Sequence, residues 1–323
     1  MNQPCFPFVV GCGRSGTTLL RAMLDSHPAL TIPFESRFVP ALLEREPEFR
    51  VAGKLDSDRL VDALRDDEHF RGWDLSEADV RGHLHDVAPV DVAAAVRAMF
   101  ELCAARAGKP RYGDKSPPYV MRLPLLAEAF PEGRFVHLVR DGRDVALAFM
   151  DADFGPESAS RLALHWRLRV ERGREAGTTL GTQRYLEVHY EELVAQPESA
   201  LRAICEFIEL DYDDAMLAYQ ERVDEIVQFD PEPWNHGNLA KPPTVGLRDW
   251  RAQMNERDLA RFELLAGPTL EQFGYEPSGA AATPRDRYDA AAALTAWQAH
   301  RVRKRVESTV AAGLRRVRSP RPA

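Results

Sequence analysis

Short apolar runs alternate along this chain with longer stretches whose apolar residues recur every three or four positions. Residues 6–10 are apolar and β-branched and predict a buried strand. A glycine-rich turn follows, then Leu19, Leu20, Met23 and Leu24 at helical spacing. Pro28 disfavours helical geometry in the residue before it, so that helix should stop near Ser26 and His27. Residues 30–33 read as a second short strand, delivering Phe34, Glu35, Ser36 and Arg37 to the same sheet edge as the glycine turn. Three helical segments, 58–64, 77–84 and 91–107, form an insertion read as a helical wall around an acceptor pocket. Residues 111–115 end a strand, and Pro117 or Pro118 suits the first turn of a helix.

The clearest buried strand is 134–139, which runs into Arg140, Asp141, Gly142 and Arg143 and another helix. Residues 156–177 predict a long amphipathic helix carrying Leu162, Trp166 and Val170, and 185–188 a further strand. Helices are expected over 197–210, 213–222 and 256–273, with 228–246, rich in Pro, Gly and Asn, as a loop over the site. Strands alternating with helices imply an α/β fold: a P-loop-like parallel sheet flanked by helices on both faces, with a helical insertion and a C-terminal helical tail. Ligands in such sheets sit at the carboxyl ends of the strands. The expected division is a catalytic domain over 1–278 and a linker with a basic amphipathic tail over 279–323.

Candidate chemistry centres on Gly11-Cys12-Gly13-Arg14-Ser15-Gly16-Thr17-Thr18. A glycine-rich turn between a strand and a helix N-terminus is a phosphate cradle, because the first helical turn offers N–H groups without partners. The spacing is that of a Walker loop, with Thr17 where the lysine would stand. The cradle is kept and the positive reach toward a β- or γ-phosphate is lost. A donor with a 5′-phosphate and one transferable group fits better than a triphosphate. The strand over 134–139 likewise leads into Arg140, where a Walker B strand would end in a magnesium-binding aspartate.

The run from Arg14 to Pro28 resembles the 5′-phosphosulfate loop of sulfotransferases that use 3′-phosphoadenosine 5′-phosphosulfate (PAPS), and most closely the tyrosylprotein sulfotransferase branch. Glu35-Ser36-Arg37, Lys115, the segment from Val139 to Arg143, Val188 to Glu191 and Lys241-Pro242 continue the resemblance, which covers about residues 5–277. It implies a PAPS-dependent sulfotransferase releasing adenosine 3′,5′-bisphosphate (PAP), with no metal. It implies Glu35 as general base, Arg14 and Arg37 beside the sulfuryl group, and Lys115 at the bridging oxygen. It also places Ser15, Gly16, Thr17 and Thr18 on the 5′-phosphate, Arg140 on the 3′-phosphate, Tyr190 on the nucleotide and Arg248 closing over the donor. Two departures stand out. Ala148 occupies the position of a serine that usually shares the 3′-phosphate, for which Arg143, Arg248 or main-chain N–H groups would have to compensate. A transition-state serine is also missing, with Asn235 or His236 nearest. His27, His137, His165 and His189 fall in no recognisable motif and read as structural.

Bulk properties narrow the setting. The 323 residues are 45% hydrophobic and 28% charged, ordinary for a globular enzyme, and the net charge of −8 argues against general nucleic-acid binding. Four scattered cysteines (Cys5, Cys12, Cys103, Cys205) form no C-x-x-C pair and read as reduced thiols. Golgi members of the resembled family carry a membrane anchor. Here no apolar run approaches the roughly 18 residues of a span, and the first strand begins too near Met1 for a signal peptide, so a cytoplasmic protein of bacterial style is expected.

From Trp297 onward, seven arginines and one lysine against one glutamate give a surplus of seven positive charges, leaving −15 on the rest. Ala291, Leu294, Trp297, Val302, Val306, Val310, Leu314 and Val317 form an apolar stripe. The tail is expected to pack on its own domain, pair in a homodimer or lie on an anionic surface. An ATP-dependent phosphotransferase and a non-catalytic nucleotide-binding protein are the alternative functions. The acceptor is expected to be a hydroxyl compound: a tyrosine phenol, sugar, lipid or natural product.

Overall fold

A computed structural model describes residues 4–73, 75–151, 158–224, 239–244, 246 and 248–318, with side chains described as far as residue 304. The strands are β1 (Phe6–Gly11), β2 (Leu30–Thr31), β3 (Arg50–Val51), β4 (Lys54–Leu55), β5 (Arg111–Tyr112), β6 (Asp114–Lys115), β7 (Gly133–Val139) and β8 (Tyr185–His189). The main sheet has the order β6-β1-β7-β8 and every pairing in it is parallel. Its register sets Val9 against Lys115 and Gly11 against Leu138, and Val139 against His189. β2 pairs in parallel with β5, and β3 with β4 as a small antiparallel hairpin.

Alternation along β1 builds two cores. Phe6, Phe8 and Val10 face one cluster with Phe100, Phe130 and Phe135. Val9 faces the other, with Leu20, Met23 and Leu24 of α1 (Thr17–Asp25) and with Val136, Leu138 and Val188. A strand buried on both faces reads as a continuous apolar run, the pattern seen over residues 6–10. The α/β architecture expected from the sequence is therefore present.

The chain forms two compact units, residues 1–140 with 169–247, and residues 141–168 with 248–323. The sheet, the glycine turn and the insertion belong to the first. The insertion comprises helices Ser57–Asp62, Glu68–Arg71, Glu77–Val87 and Val92–Arg106. Helix Ala159–Leu180 crosses the division between the units. Its predicted start near residue 156, and most of the predicted loop 228–246, lie outside the described residues, as do Asn235 and His236.

The helix expected over 213–222 is instead two 3₁₀ turns, Asp214–Met216 and Tyr219–Arg222. Met216, at the end of the first turn, and Tyr219, at the start of the second, are both fully buried. Tyr219 also donates to the Lys241 carbonyl at 2.6 Å, which holds the tighter turn in place.

In the second unit, helix Pro284–Arg318 is pinned at its start. Thr283 and Asp286 cap it, and Asp286 accepts from Arg257 and Arg261 of helix Glu256–Gln272. Beyond that turn Tyr288 and Val302 are exposed, and the stripe from Val306 onward lies outside the described side chains. Among the described residues, no helix is long and apolar enough to cross a membrane.

Candidate functional site

Parallel strands bring their carboxyl ends to one edge, and the edge of the main sheet collects most of the predicted residues. Gly11 ends β1, Lys115 ends β6, Arg140 follows β7 and Tyr190 follows β8. The turn after β1 is shaped by two residues with positive φ, Arg14 at 67° and Gly16 at 93°. Gly16 is fixed by both conformation and space, since a Cβ there would meet the Tyr190 ring at 2.4 Å.

α1 then begins at Thr17 with no side-chain cap, so the N–H groups of its first turn are not satisfied by a capping oxygen. Ser15 is fully buried, and its hydroxyl has no hydrogen-bond partner among the described residues. A buried donor left in that state beside an uncapped helix start fits an incoming anion. Thr17 is buried and Thr18 half-buried in the same turn. Arg140 is buried with its guanidinium 4.4 Å from the Tyr190 ring centroid, a cation–π contact, and one of its nitrogens donates to the Arg14 carbonyl at 3.4 Å.

Glu35 reaches the same region from the loop after β2. Lys115 Nζ donates to its Oε1 at 2.5 Å and Arg37 Nε to its Oε2 at 2.6 Å. Lys115 and Glu35 are buried, while Arg37 is exposed. Burial pushes the Glu35 pKa up, but the Lys115 and Arg37 charges and their hydrogen bonds outweigh it, and the net direction is below the usual carboxylate value. Glu35 is therefore ionised at neutral pH, and each oxygen retains a lone pair able to take a further hydrogen.

The loop that carries it is held by residues the sequence did not single out. Trp73 of the insertion donates to the Phe34 carbonyl at 2.7 Å, and Arg21 of α1 donates to the Ile32 carbonyl at 2.9 Å. Ser36 N–H donates to Ser116 Oγ at 3.0 Å, tying the Glu35 loop to the Lys115 loop. The insertion thus braces the Glu35 segment through Trp73.

Three of the donor-site residues named from the sequence belong to the second unit. Arg248 belongs to the second unit and pairs with Asp151 at 2.8 Å. Ala148 is buried in helix Gly142–Met150 of that unit. Arg143, a candidate to replace the missing serine, is committed to other partners. It is fully buried, held by both oxygens of Asp141 and by Glu263 Oε1 at 2.7 Å, over the Trp250 ring. A guanidinium so committed is structural.

Two of the four histidines named from the sequence have described hydrogen-bond partners. His27 bonds through Nε2 to the Asp211 carbonyl at 2.7 Å and accepts from Ala29 N–H through Nδ1. His137 is buried against the Tyr185 hydroxyl, and burial lowers its pKa to about 4. Among the described residues, no cluster of three His, Cys, Asp or Glu is arranged to hold a metal ion.

An uncapped helix start beside a buried lysine–glutamate pair, at the carboxyl edge of a parallel sheet, defines a P-loop-like enzyme that handles an anionic group. The sequence model of the Sulfotransferase family matches residues 7–214, and the chain belongs to that family. It is by that membership a PAPS-dependent transferase.

Protein-tyrosine sulfotransferase A of Caenorhabditis elegans is 25% identical over 281 residues, covering 84% of this chain and 68% of that protein. Protein-tyrosine sulfotransferase 1 of Danio rerio is 28% identical over 286 residues, with 84% and 72% covered. Among solved structures, the sulfotransferase domain from the Synechococcus PCC 7002 olefin synthase is 27% identical. It superposes with a TM-score of 0.59 over 85% of this chain and 97% of that domain. The sulfotransferase domain from the curacin biosynthetic pathway, 18% identical with a TM-score of 0.53, shares the fold.

Proposed function

We propose that this protein moves the sulfuryl group of PAPS to an acceptor hydroxyl, with Glu35 as the general base. The observation that carries the reading is the buried Lys115–Glu35 contact of 2.5 Å, made by residues 80 apart in sequence at the edge that also holds the uncapped helix start. PAPS supplies an electrophilic sulfur and a phosphate leaving group. Ser15, Gly16, Thr17 and Thr18 would hold the 5′-phosphate through the main-chain N–H groups and the buried Ser15 hydroxyl. Arg140, positioned over Tyr190, would bind the 3′-phosphate, and a guanidinium suits that oxyanion. Arg14 and Arg37 would line the sulfuryl oxygens. Lys115 would neutralise charge growing on the departing oxygen, and Glu35 would take the acceptor's proton. Arg248 is proposed to close over the donor.

For the acceptor, the relatives named protein-tyrosine sulfotransferases favour a tyrosine phenol, whereas the related solved domain is named as part of an olefin synthase. We retain residues 1–278 as the catalytic domain, with the basic tail as an element for homodimer or anionic-surface contact. We also read the setting as cytoplasmic, in keeping with four free buried cysteines.

The test is transfer of radiolabelled sulfur from PAPS to a panel of tyrosyl peptide, sugar, lipid and phenolic acceptors. Product is expected at unchanged rate in excess EDTA. Magnesium-dependent consumption of ATP, with no labelled product, would support the phosphotransferase alternative instead.

A further inference from the structure

Behind the Lys115–Glu35 contact lies a second polar cluster, made by Ser36, Asp114, Ser116 and Tyr119, all of them buried. Four oxygen-to-oxygen contacts join these residues. Ser36 Oγ lies 2.5 Å from Asp114 Oδ2 and 2.8 Å from the Tyr119 hydroxyl. Ser116 Oγ lies 3.0 Å from Asp114 Oδ1, and the Tyr119 hydroxyl 2.9 Å from the Ser36 carbonyl. Two main-chain N–H groups complete the cluster, Ser36 donating to Ser116 Oγ at 3.0 Å and Val39 donating to the Tyr119 hydroxyl at 3.2 Å.

Hydrogen accounting favours a protonated carboxyl group. Four short oxygen-to-oxygen contacts are present, and the two serines and the tyrosine supply three hydrogens. With Asp114 ionised, the Tyr119 hydrogen must be shared between Ser36 Oγ and the Ser36 carbonyl. A hydrogen on Asp114 Oδ2 supplies the fourth. The carboxylic acid then donates to Ser36 Oγ, Ser36 to the Tyr119 hydroxyl, Tyr119 to the Ser36 carbonyl, and Ser116 to Asp114 Oδ1. Every contact is satisfied, and no uncompensated charge is buried.

We propose that Asp114 is a neutral carboxylic acid acting as a positioning residue, whose hydrogen closes the chain that ties the Glu35 segment to the Lys115 segment. The proposal rests on the sulfuryl-transfer reading for its effect on rate, but not for the proton itself. Burial raises the Asp114 pKa to about 7, with the Ser36 and Ser116 hydroxyls opposing the rise, the Glu35 charge adding to it and the Lys115 charge opposing it. Glu35 and Lys115 are the charged groups that face it, and its register neighbour on β1 is the apolar Phe8. While Asp114 is neutral, Glu35, Lys115 and Arg37 together carry one net positive charge. Ionised, Asp114 would cancel that charge and give Lys115 a second carboxylate to serve, weakening it toward an anionic donor.

Asp114→Asn separates the possibilities, because its amide nitrogen donates to Ser36 Oγ and its oxygen accepts from Ser116, as the acid does. The first readout is the thermal unfolding midpoint of wild type and variant from pH 4 to 8.5, which requires no activity. The native state keeps a proton that the unfolded chain releases near its ordinary value of 3.8, so wild-type stability should fall relative to the variant from pH 4 to about 7 and then level off.

The second readout is kcat. Wild type should lose about tenfold between pH 6 and pH 8 as the acid ionises, and the Asn variant should lack that fall. Infrared difference spectra of the wild type between pH 5.5 and 8.5 should show a protonated-carboxyl band that disappears as pH rises, whether or not the variant folds.

A stability difference that is flat with pH, or the absence of that carboxyl band at pH 5.5, would overturn the proposal even in an active sulfotransferase. The expected stability and infrared results in a protein that transfers no sulfuryl group would leave the proton assignment intact and remove the catalytic reading alone.

Discussion

Glu35→Gln is expected to lower kcat for sulfuryl transfer by about 10³-fold while leaving PAP affinity within a few-fold of wild type. Glutamine keeps the size of the side chain and an oxygen that can accept from Lys115 or Arg37, but it cannot take the acceptor's proton. Loss of a positioned general base costs roughly 10²–10⁴ in rate. Lys115 stays buried without its counter-charge, so the variant should also lose about 1–3 kcal/mol of stability, read from urea unfolding. Because the Lys115 and Arg37 charges hold the Glu35 pKa below its ordinary 4.5, the wild-type acid limb should lie below that pH, with full base function above it. A Gln variant within tenfold of wild-type kcat would show that the proton goes elsewhere.

Lys115→Met should lower kcat by about 10²–10³, the usual loss when one group stabilising developing negative charge is removed. Methionine fills much of the buried space that the lysine stem occupies, so packing is largely kept. The distinguishing readout is the pH profile. Lysine is the foremost charge lowering the Glu35 pKa. Its removal leaves only Arg37 opposing the effect of burial, so the acid limb must move to higher pH. A large drop in kcat with an unmoved acid limb would mean that Lys115 acts on the leaving group but is not electrostatically coupled to the base.

Local patterns made the sheet and its edge legible. Residues 6–10 and 134–139 are apolar runs, which became the paired central strands β1 and β7, and the glycine turn between a strand and a helix start declared an anion cradle. The strand pattern put Glu35, Lys115 and Arg140 at strand ends, and their chemical roles were legible only through resemblance. Their convergence is a property of the parallel sheet.

The cluster under the site was not legible. Ser36 and Asp114 are 78 residues apart, and serine, aspartate and tyrosine are common enough that their meeting leaves no signature. Trp73, whose indole N–H fixes the Phe34 carbonyl, lies between the helical segments and carries no motif that marks it. Arg143 looked like a spare anion ligand because its partner Glu263 comes 120 residues later. The two 3₁₀ turns at 214–222 were not legible, because composition does not distinguish a three-residue from a 3.6-residue repeat over so short a stretch.

Isothermal titration of PAP into the intact protein tests the central claim most directly, because the donor cradle must work before any acceptor is known. Saturable binding is predicted, retained in Glu35→Gln and weakened at least tenfold in Arg140→Ala, where a charge-assisted contact worth about 1.5–3 kcal/mol is lost. A folded wild-type protein that releases no binding heat and shows no PAP-dependent rise in its unfolding midpoint would contradict the account.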